Sequence, residues 1–346
     1  DRYNGGEMRV ESGRAGGIKV KKICLIATGG TIVSKDGGSG LEPDLTPQEL
    51  LSYVPELKEV AEISVRELFR LDSTNINPGH WIKMAGCIRE EYENFDGFVV
   101  IHGTDTMAYT AAALSYLVQD SEKPIILTGS QKSVYNRDTD ARRNLADAFC
   151  YAADPRSHGV YIVFDGTAIL GTHARKTRTH SYNAFSSINC PAAAVMQEGR
   201  IIRYFEPELS GKVKFYGQMN PRVLRVRPYP GISKEILTRT MDCYDGLVIE
   251  CFGTSGIPAY GGFDTAVSEW ARAGKAIVAT TQVPHEGSDM SVYRVGKDLM
   301  GLGLMEAFDM TPEAVLAKLM WALGNAGNRE ELKRLFAGKV WMDTFF

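Results

Sequence analysis

The chain has 346 residues, 44% hydrophobic and 23% charged, which is ordinary globular usage and length enough for two cores. Its 39 Lys and Arg against 42 Asp and Glu leave a formal charge of -3, which excludes the electrostatic footprint of a nucleic-acid or anionic-membrane binder. No run reaches the roughly 18 apolar residues that span a bilayer, and six cysteines without C-x-x-C spacing support neither a zinc site nor a disulfide framework.

In chain order, residues 1–17 are polar and Gly/Arg-rich without an apolar signal core, so 1–18 reads as a disordered leader, with Met8 a candidate start. A continuous apolar run at 23–27 then breaks at Thr28-Gly29-Gly30-Thr31. Thr46-Pro47-Gln48-Glu49 is a capping box with Pro at the first helical position, and Asn77-Pro78 opens a second helix through Trp81, Met84 and Ile88. The run 98–101 meets His102-Gly103-Thr104-Asp105-Thr106, followed by a helix to Val118. The run 125–127 meets Thr128-Gly129-Ser130-Gln131, with a helix over 141–152, and the run 160–164 meets Asp165-Gly166-Thr167. Around 200–229 the rhythm gives way to Arg, Lys, Pro and Gly with short alternating strands such as 223–226. It resumes at 247–251 and 276–279, and Thr311-Pro312 caps a last long helix.

Unalternating runs of this length fit strands buried on both faces, and helices between them make an α/β fold. The expected organisation is a larger amino-terminal open α/β sheet domain at 19–200, a linker at 201–220, and a smaller carboxy-terminal parallel α/β domain at 221–346. Ligands of open α/β sheets bind at the carboxyl ends of the strands, near a topological switch point. That directs attention to Gly29 and Gly30, whose backbone can approach a ligand, and to Thr104, Asp105 and Thr106 at a helix entrance. Each motif alone is more often a turn or a helix cap than a binding site. No phosphate-binding glycine pattern and no G-x-S-x-G elbow is present. His102, His173, His180 and His285 lack metal-ligand spacing, so no metal and no cofactor is expected.

Taken together, Ala27-Thr28-Gly29-Gly30-Thr31-Ile32 and His102-Gly103-Thr104-Asp105-Thr106-Met107, about 70 residues apart, resemble the two signatures of the bacterial-type L-asparaginase family. The resemblance continues through Asp72-Ser73-Thr74-Asn75, Thr128-Gly129-Ser130-Gln131, Arg175-Lys176 ahead of Asn183-Ala184-Phe185, Gln282-Val283-Pro284 and Asp309-Met310-Thr311-Pro312-Glu313-Ala314. It is closest to the cytosolic, type I branch. It implies hydrolysis of the side-chain amide of L-asparagine in the cytoplasm by a homodimer or homotetramer. Thr31 would be the nucleophile. Thr104, Asp105 and Lys176 would be catalytic, and Gly30, Ser73, Thr74, Gly103 and Asp105 would bind a small amino-acid substrate, with no nucleic-acid or membrane partner. Without the resemblance, Lys176 reads as a solvated residue of a basic run.

The sequence departs from the family pattern in two places. The lid at 33–45 carries no tyrosine, Leu41 standing near its place, although Gly37, Gly38 and Gly40 suit hinges. Gly256 stands where Asn is frequent, in a segment that often reaches a neighbour's site. Other readings are a broader asparaginase-glutaminase, an amidotransferase subunit (which would carry an extra amino-terminal domain), and a catalytically weak amino-acid sensor.

Overall fold

The structure is a computed structural model that describes residues 20–36, 41–43 and 45–346. The leader at 1–18 and the hinge glycines Gly37, Gly38 and Gly40 lie outside the described residues.

Each apolar run of the sequence becomes a buried parallel strand. In the larger sheet these are β1 (Lys21–Gly29), β3 (Gly97–Ile101), β4 (Pro124–Thr128) and β5 (Gly159–Phe164), with β2 (Ala61–Leu71) outside β1. β5 turns back antiparallel into β6 (Thr167–Leu170). The ribbon of β7 (Ala174–Lys176) and β8 (Phe185–Ser187) comes next, and then β9 (Ala194–Gln197) and β10 (Arg200–Arg203) complete the sheet. The order across its eight strands is β10-β9-β6-β5-β4-β3-β1-β2. The smaller sheet is parallel throughout: β11 (Val223–Val226), β12 (Gly246–Cys251), β13 (Ala276–Thr281) and β14 (Met305–Glu306).

β2, β6, β7, β8, β9, β10 and β14 lie outside the strands expected from the sequence, and β6, β7, β8 and β14 are no more than four residues long. β2, β9 and β10 mix polar with apolar residues, so they lack the unbroken apolar signature of a doubly covered strand. β10 is a sheet edge at the start of the stretch expected to be linker, and Lys214–Phe215 of that stretch pairs antiparallel with Val118–Gln119.

The helices follow their caps. α1 (Pro47–Ser52) has both halves of its box, Glu49 N donating to Thr46 Oγ1 at 3.2 Å and Thr46 N to Glu49 Oε2 at 2.8 Å. α2 (Pro78–Glu91), α3 (Met107–Leu117) and α4 (Ala141–Ala153) cover the larger sheet, and α5 (Phe263–Arg272) packs on the smaller one. α6 (Pro312–Asn325), opened by Thr311, lies between the sheets, against α3 on one side and β11, β12 and β13 on the other. It is followed by α7 (Arg329–Ala337), capped by Asn328 and absent from the sequence reading. One apolar cluster therefore runs from Phe98 and Ile125 through Tyr116 and Trp321 to Val248 and Val278. Cys24, Cys87, Cys190 and Cys251 are buried free thiols, and burial pushes Cys24 and Cys251 up to about 12, which keeps them protonated and inert.

At the centre of α6 the Lys318 ammonium, 1% exposed, meets the Asp343 carboxylate, 0% exposed, at 2.7 Å. Asp343 also accepts from Tyr116 Oη at 3.0 Å and Val340 N at 3.1 Å, tying the end of the chain to α3 and α6. Removing one partner leaves the other charge buried and uncompensated. Lys318→Met is expected to cost about 3–5 kcal/mol. Adding Asp343→Asn, whose Oδ1 still accepts from Val340 N while its Nδ2 donates to the Tyr116 hydroxyl, removes the unpaired charge and restores most of that loss in chemical denaturation.

Candidate active site

The larger sheet reverses its winding at β1 and β3. From β1 the chain goes outward to β2; from β3 it goes the other way, to β4 and β5. This is the 2-1-3-4-5 order whose crevice at the carboxyl ends of the first and third strands receives ligands. Register levels those ends, since Ala27 lies opposite Ile101 and Ile101 opposite Thr128. The segments singled out in the sequence therefore emerge side by side.

They touch through glycine. Gly29 and Gly30 have φ of +104° and +93°, and Gly30 N donates to Leu71 O at 3.1 Å. A Cβ on Gly30 would lie 2.5 Å from Gly103 N, one on Gly103 2.7 Å from Ser73 Oγ, and one on Gly129 2.2 Å from His102 O. Ser73 is buried. Thr31 follows Gly30 at the head of the 3-10 turn Thr31–Val33, half-buried, while Ile32 and Val33 anchor the turn in the core. Gly30, Thr31, Ser73 and Gly103 thus share one wall.

Next to this wall the ribbon contributes an amine. Lys176, its side chain 18% exposed, donates from Nζ to Thr104 Oγ1 at 2.8 Å and to Asp105 Oδ1 at 2.7 Å. Thr104 is buried and donates to Gln131 Oε1 at 3.3 Å, whereas Asp105 is exposed. The solvated reading of Lys176 does not hold: the lysine is directed inward at a hydroxyl. Phe185 lies opposite Lys176 in the ribbon and packs edge-on against Phe164, 5.1 Å between centroids, which explains why the two positions belong together.

Thr104, Asp105 and Thr106 precede α3, and all three are good capping residues. Their side chains bond elsewhere. Thr106 occupies the cap position without a side-chain cap bond and instead donates from Oγ1 to Ser73 O at 2.7 Å. The helix start keeps its positive end open toward the crevice. Behind it, Trp81 Nε1 donates to Thr110 Oγ1 at 2.9 Å, and Thr110 Oγ1 lies 2.8 Å from His102 Nε2. His102 Nδ1 lies 2.7 Å from Gly103 O, which fits the neutral tautomer donating from Nδ1. Burial lowers its pKa to about 4, so this histidine is a neutral strut for the Gly103 peptide. His173 is likewise buried and bonded, to Ile188 O and Met342 O, while His180 and His285 are exposed.

The arrangement combines two hydroxyls, an amine and a carboxylate around an open helix start, the groups required to attack and hold an amide. Family comparisons agree with this chemistry. One family model, described as Asparaginase, N-terminal, matches residues 22–209, and another, Glutaminase/Asparaginase C-terminal domain, matches residues 222–336. The chain belongs to the asparaginase family. It is 36% identical to an L-asparaginase of Thermococcus kodakarensis over 92% of this chain and 98% of that one. A solved structure of a thermostable L-asparaginase from that organism has a TM-score of 0.88 at 35% identity, covering 93% and 98%. L-asparaginase I from Vibrio cholerae gives a TM-score of 0.85 at 28% identity, covering 94% and 100%. A glutamyl-tRNA(Gln) amidotransferase subunit of Pyrococcus abyssi is 34% identical over 94% of this chain and 78% of that protein.

Within this asparaginase-family site, Thr74 is the expected residue most occupied elsewhere: its N and Oγ1 both donate to Asp72 Oδ1, at 2.8 and 2.7 Å. Those bonds hold the Asp72 carboxyl below its ordinary range. Gln131 is a neighbour of Thr104 that belongs to a sequence motif but has no place among the expected site residues. Its Nε2 donates to Thr179 O and Ser181 O, at 3.0 and 3.1 Å, which turns Oε1 toward Thr104. Its position just past the end of β4 was the available signal. Tyr53 caps the carboxyl end of α1 and packs edge-on against Tyr135, 6.0 Å between centroids.

The glycine contacts give a direct test. Gly30→Ala combines a left-handed φ with a clash on Gly103 N and is expected to cost at least about 1–3 kcal/mol. Gly217→Ala, with open space around it, should stay within about 0.5 kcal/mol in the same urea titration.

Proposed function

We propose that this asparaginase-family chain hydrolyses the side-chain amide of L-asparagine to L-aspartate and ammonia, with Thr31 as the nucleophile. The observation that carries the reading is the Lys176 amine held at 2.8 Å from Thr104 Oγ1, one residue on from Gly103 of the glycine wall that leads into Thr31. Thr31 Oγ1 attacks the amide carbon, Thr104 and Lys176 move the proton to the departing ammonia, and water then releases aspartate. The N–H groups of Gly103 and Thr104, at the open start of α3, suit the developing oxyanion. The substrate ammonium pairs with the exposed Asp105 carboxylate, and Gly30, Ser73 and Thr74 form the α-carboxylate end.

The same reading takes the chain as a cytoplasmic homodimer or homotetramer. Among the described residues no helix is long and apolar enough to cross a membrane. A second reading, ammonia supply within an amidotransferase, is favoured by the similarity to the Pyrococcus abyssi amidotransferase subunit. Purified chain separates the two: free ammonia released from asparagine without any partner supports the hydrolase, and glutamine as second substrate measures selectivity. Binding of asparagine without ammonia release would identify a sensor.

Thr31→Ala, Thr104→Ala and Lys176→Met should each lower kcat by about 10²- to 10⁴-fold while circular dichroism and thermal unfolding stay near wild type. Asp105→Asn should act chiefly on KM, because it removes the counter-charge of the ammonium. Tyr53→Phe keeps its ring packing and should be nearly silent. Steady-state ammonia assays on the five variants check each role, and a Thr31→Ala enzyme with wild-type turnover would displace the nucleophile.

A further inference from the structure

We propose that Arg175 and Glu313 are positioning residues for Lys176, so that the smaller sheet's side of the molecule sets the geometry of the amine in the site. The inference rests on the hydrolase reading above for its kinetic consequences. Its structural basis is separate.

β7 is three residues long and pairs with an equally short β8. A two-stranded ribbon of that size is marginal alone, so its place must come from what grips it. Successive residues of a strand point to opposite faces. Lys176 points to Thr104 and Asp105; Arg175, one residue earlier, points away from them to Glu313, with Nε 3.7 Å from Oε1. The strand is therefore held from both sides at adjacent residues. Lower down the ribbon, Thr311 Oγ1 donates to Thr172 O at 3.1 Å and Asn189 Nδ2 to Asp309 O at 2.7 Å. Both partners belong to the approach to α6, the helix that presents Glu313 in its first turn.

Glu313 sits in a charge cluster built from both sheets. Its side chain is 9% exposed, and Oε2 has no hydrogen-bond partner among the described residues. Burial raises its pKa, while the Arg175 and Arg225 charges act in the opposite sense. Arg225 binds Glu250 Oε1 at 2.5 Å and donates to Tyr109 Oη at 2.6 Å, and Tyr109 lies in the first turn of α3, just after Thr104, Asp105 and Thr106. Two arginines and two glutamates thus connect the ribbon that carries Lys176, the helix that follows Thr104, and the smaller sheet. A carboxylate buried with one oxygen unused is a poor source of stability, since apolar residues of similar volume are often as good or better. Placement of the adjacent lysine is what this pair supplies and apolar packing cannot.

The test uses the full chain, with three variants and two readouts. Glu313→Gln removes the charge, Arg175→Met with Glu313→Leu replaces the pair by apolar packing, and Arg175→Lys keeps a cation. Asparagine kinetics should show kcat lowered at least 10-fold in the first two, KM within 3-fold of wild type, thermal unfolding preserved, and Arg175→Lys within 3-fold of wild type. In parallel, acetic anhydride labelling read by mass spectrometry should modify Lys176 faster in the first two variants and leave Lys214 unchanged. A stable double variant with wild-type kcat and wild-type Lys176 labelling overturns the proposal, as does a KM that rises in step with the loss of kcat. If Glu313→Gln does not fold, the double variant decides. A wild-type chain that releases no ammonia from asparagine or glutamine defeats the hydrolase reading instead, and the labelling rates still decide the positioning role.

Discussion

Two backbones touch where β1 and β3 end, and the site depends on that contact. Gly30 and Gly103 approach so closely that no Cβ fits between them, and Gly103 leans in turn on Ser73. Three loops from three strands converge within a few ångströms because side chains are missing there. The register of β1 against β2 and β3 delivers the loops, and the reversal of winding beside β1 opens the crevice between them. Thr31, Thr104 and Asp105 are displayed by this frame; none of them builds it.

Local rules are broken where the chemistry is. Three capping residues stand before α3, yet their hydrogen bonds run to Ser73, Lys176 and Gln131. α3 tolerates an open start because its residues are almost entirely buried, so tertiary packing rather than local capping holds it. α1, away from the crevice, has its full capping box. The contrast between the two helices marks the place where polar side chains bond across loops rather than cap their own helix.

Much of this was legible in the sequence, for reasons that also explain the gaps. A strand covered on both faces has to be apolar throughout, so 98–101 and 247–251 announced themselves. β2 did not, because an edge strand with half-exposed residues resembles many other segments. Among the site residues, Thr104 and Asp105 were visible from their place after a strand, whereas the pairing with Lys176 joins positions 71 and 72 residues apart and no periodicity encodes it. The family resemblance supplied that link. The residue type of Gln131 carries no such signal, because an uncharged amide suggests no chemistry until its acceptor oxygen is turned to a hydroxyl. The hinge glycines of the lid lie outside the described residues, so the departure at Leu41 stands as a feature of the sequence.

The position of α6 has a further consequence. Two family models divide the chain between residues 209 and 222, yet one apolar cluster crosses that division, with Trp321 of α6 stacked on Tyr116 of α3 at 5.9 Å. Modular exchange between relatives is therefore constrained. A carboxy-terminal half borrowed from another member of the family brings its own α6, shaped to a different α3 and carrying its own residue opposite Arg175. A substitution on either face of that helix therefore meets the packing of both halves, even though each half carries a sheet of its own.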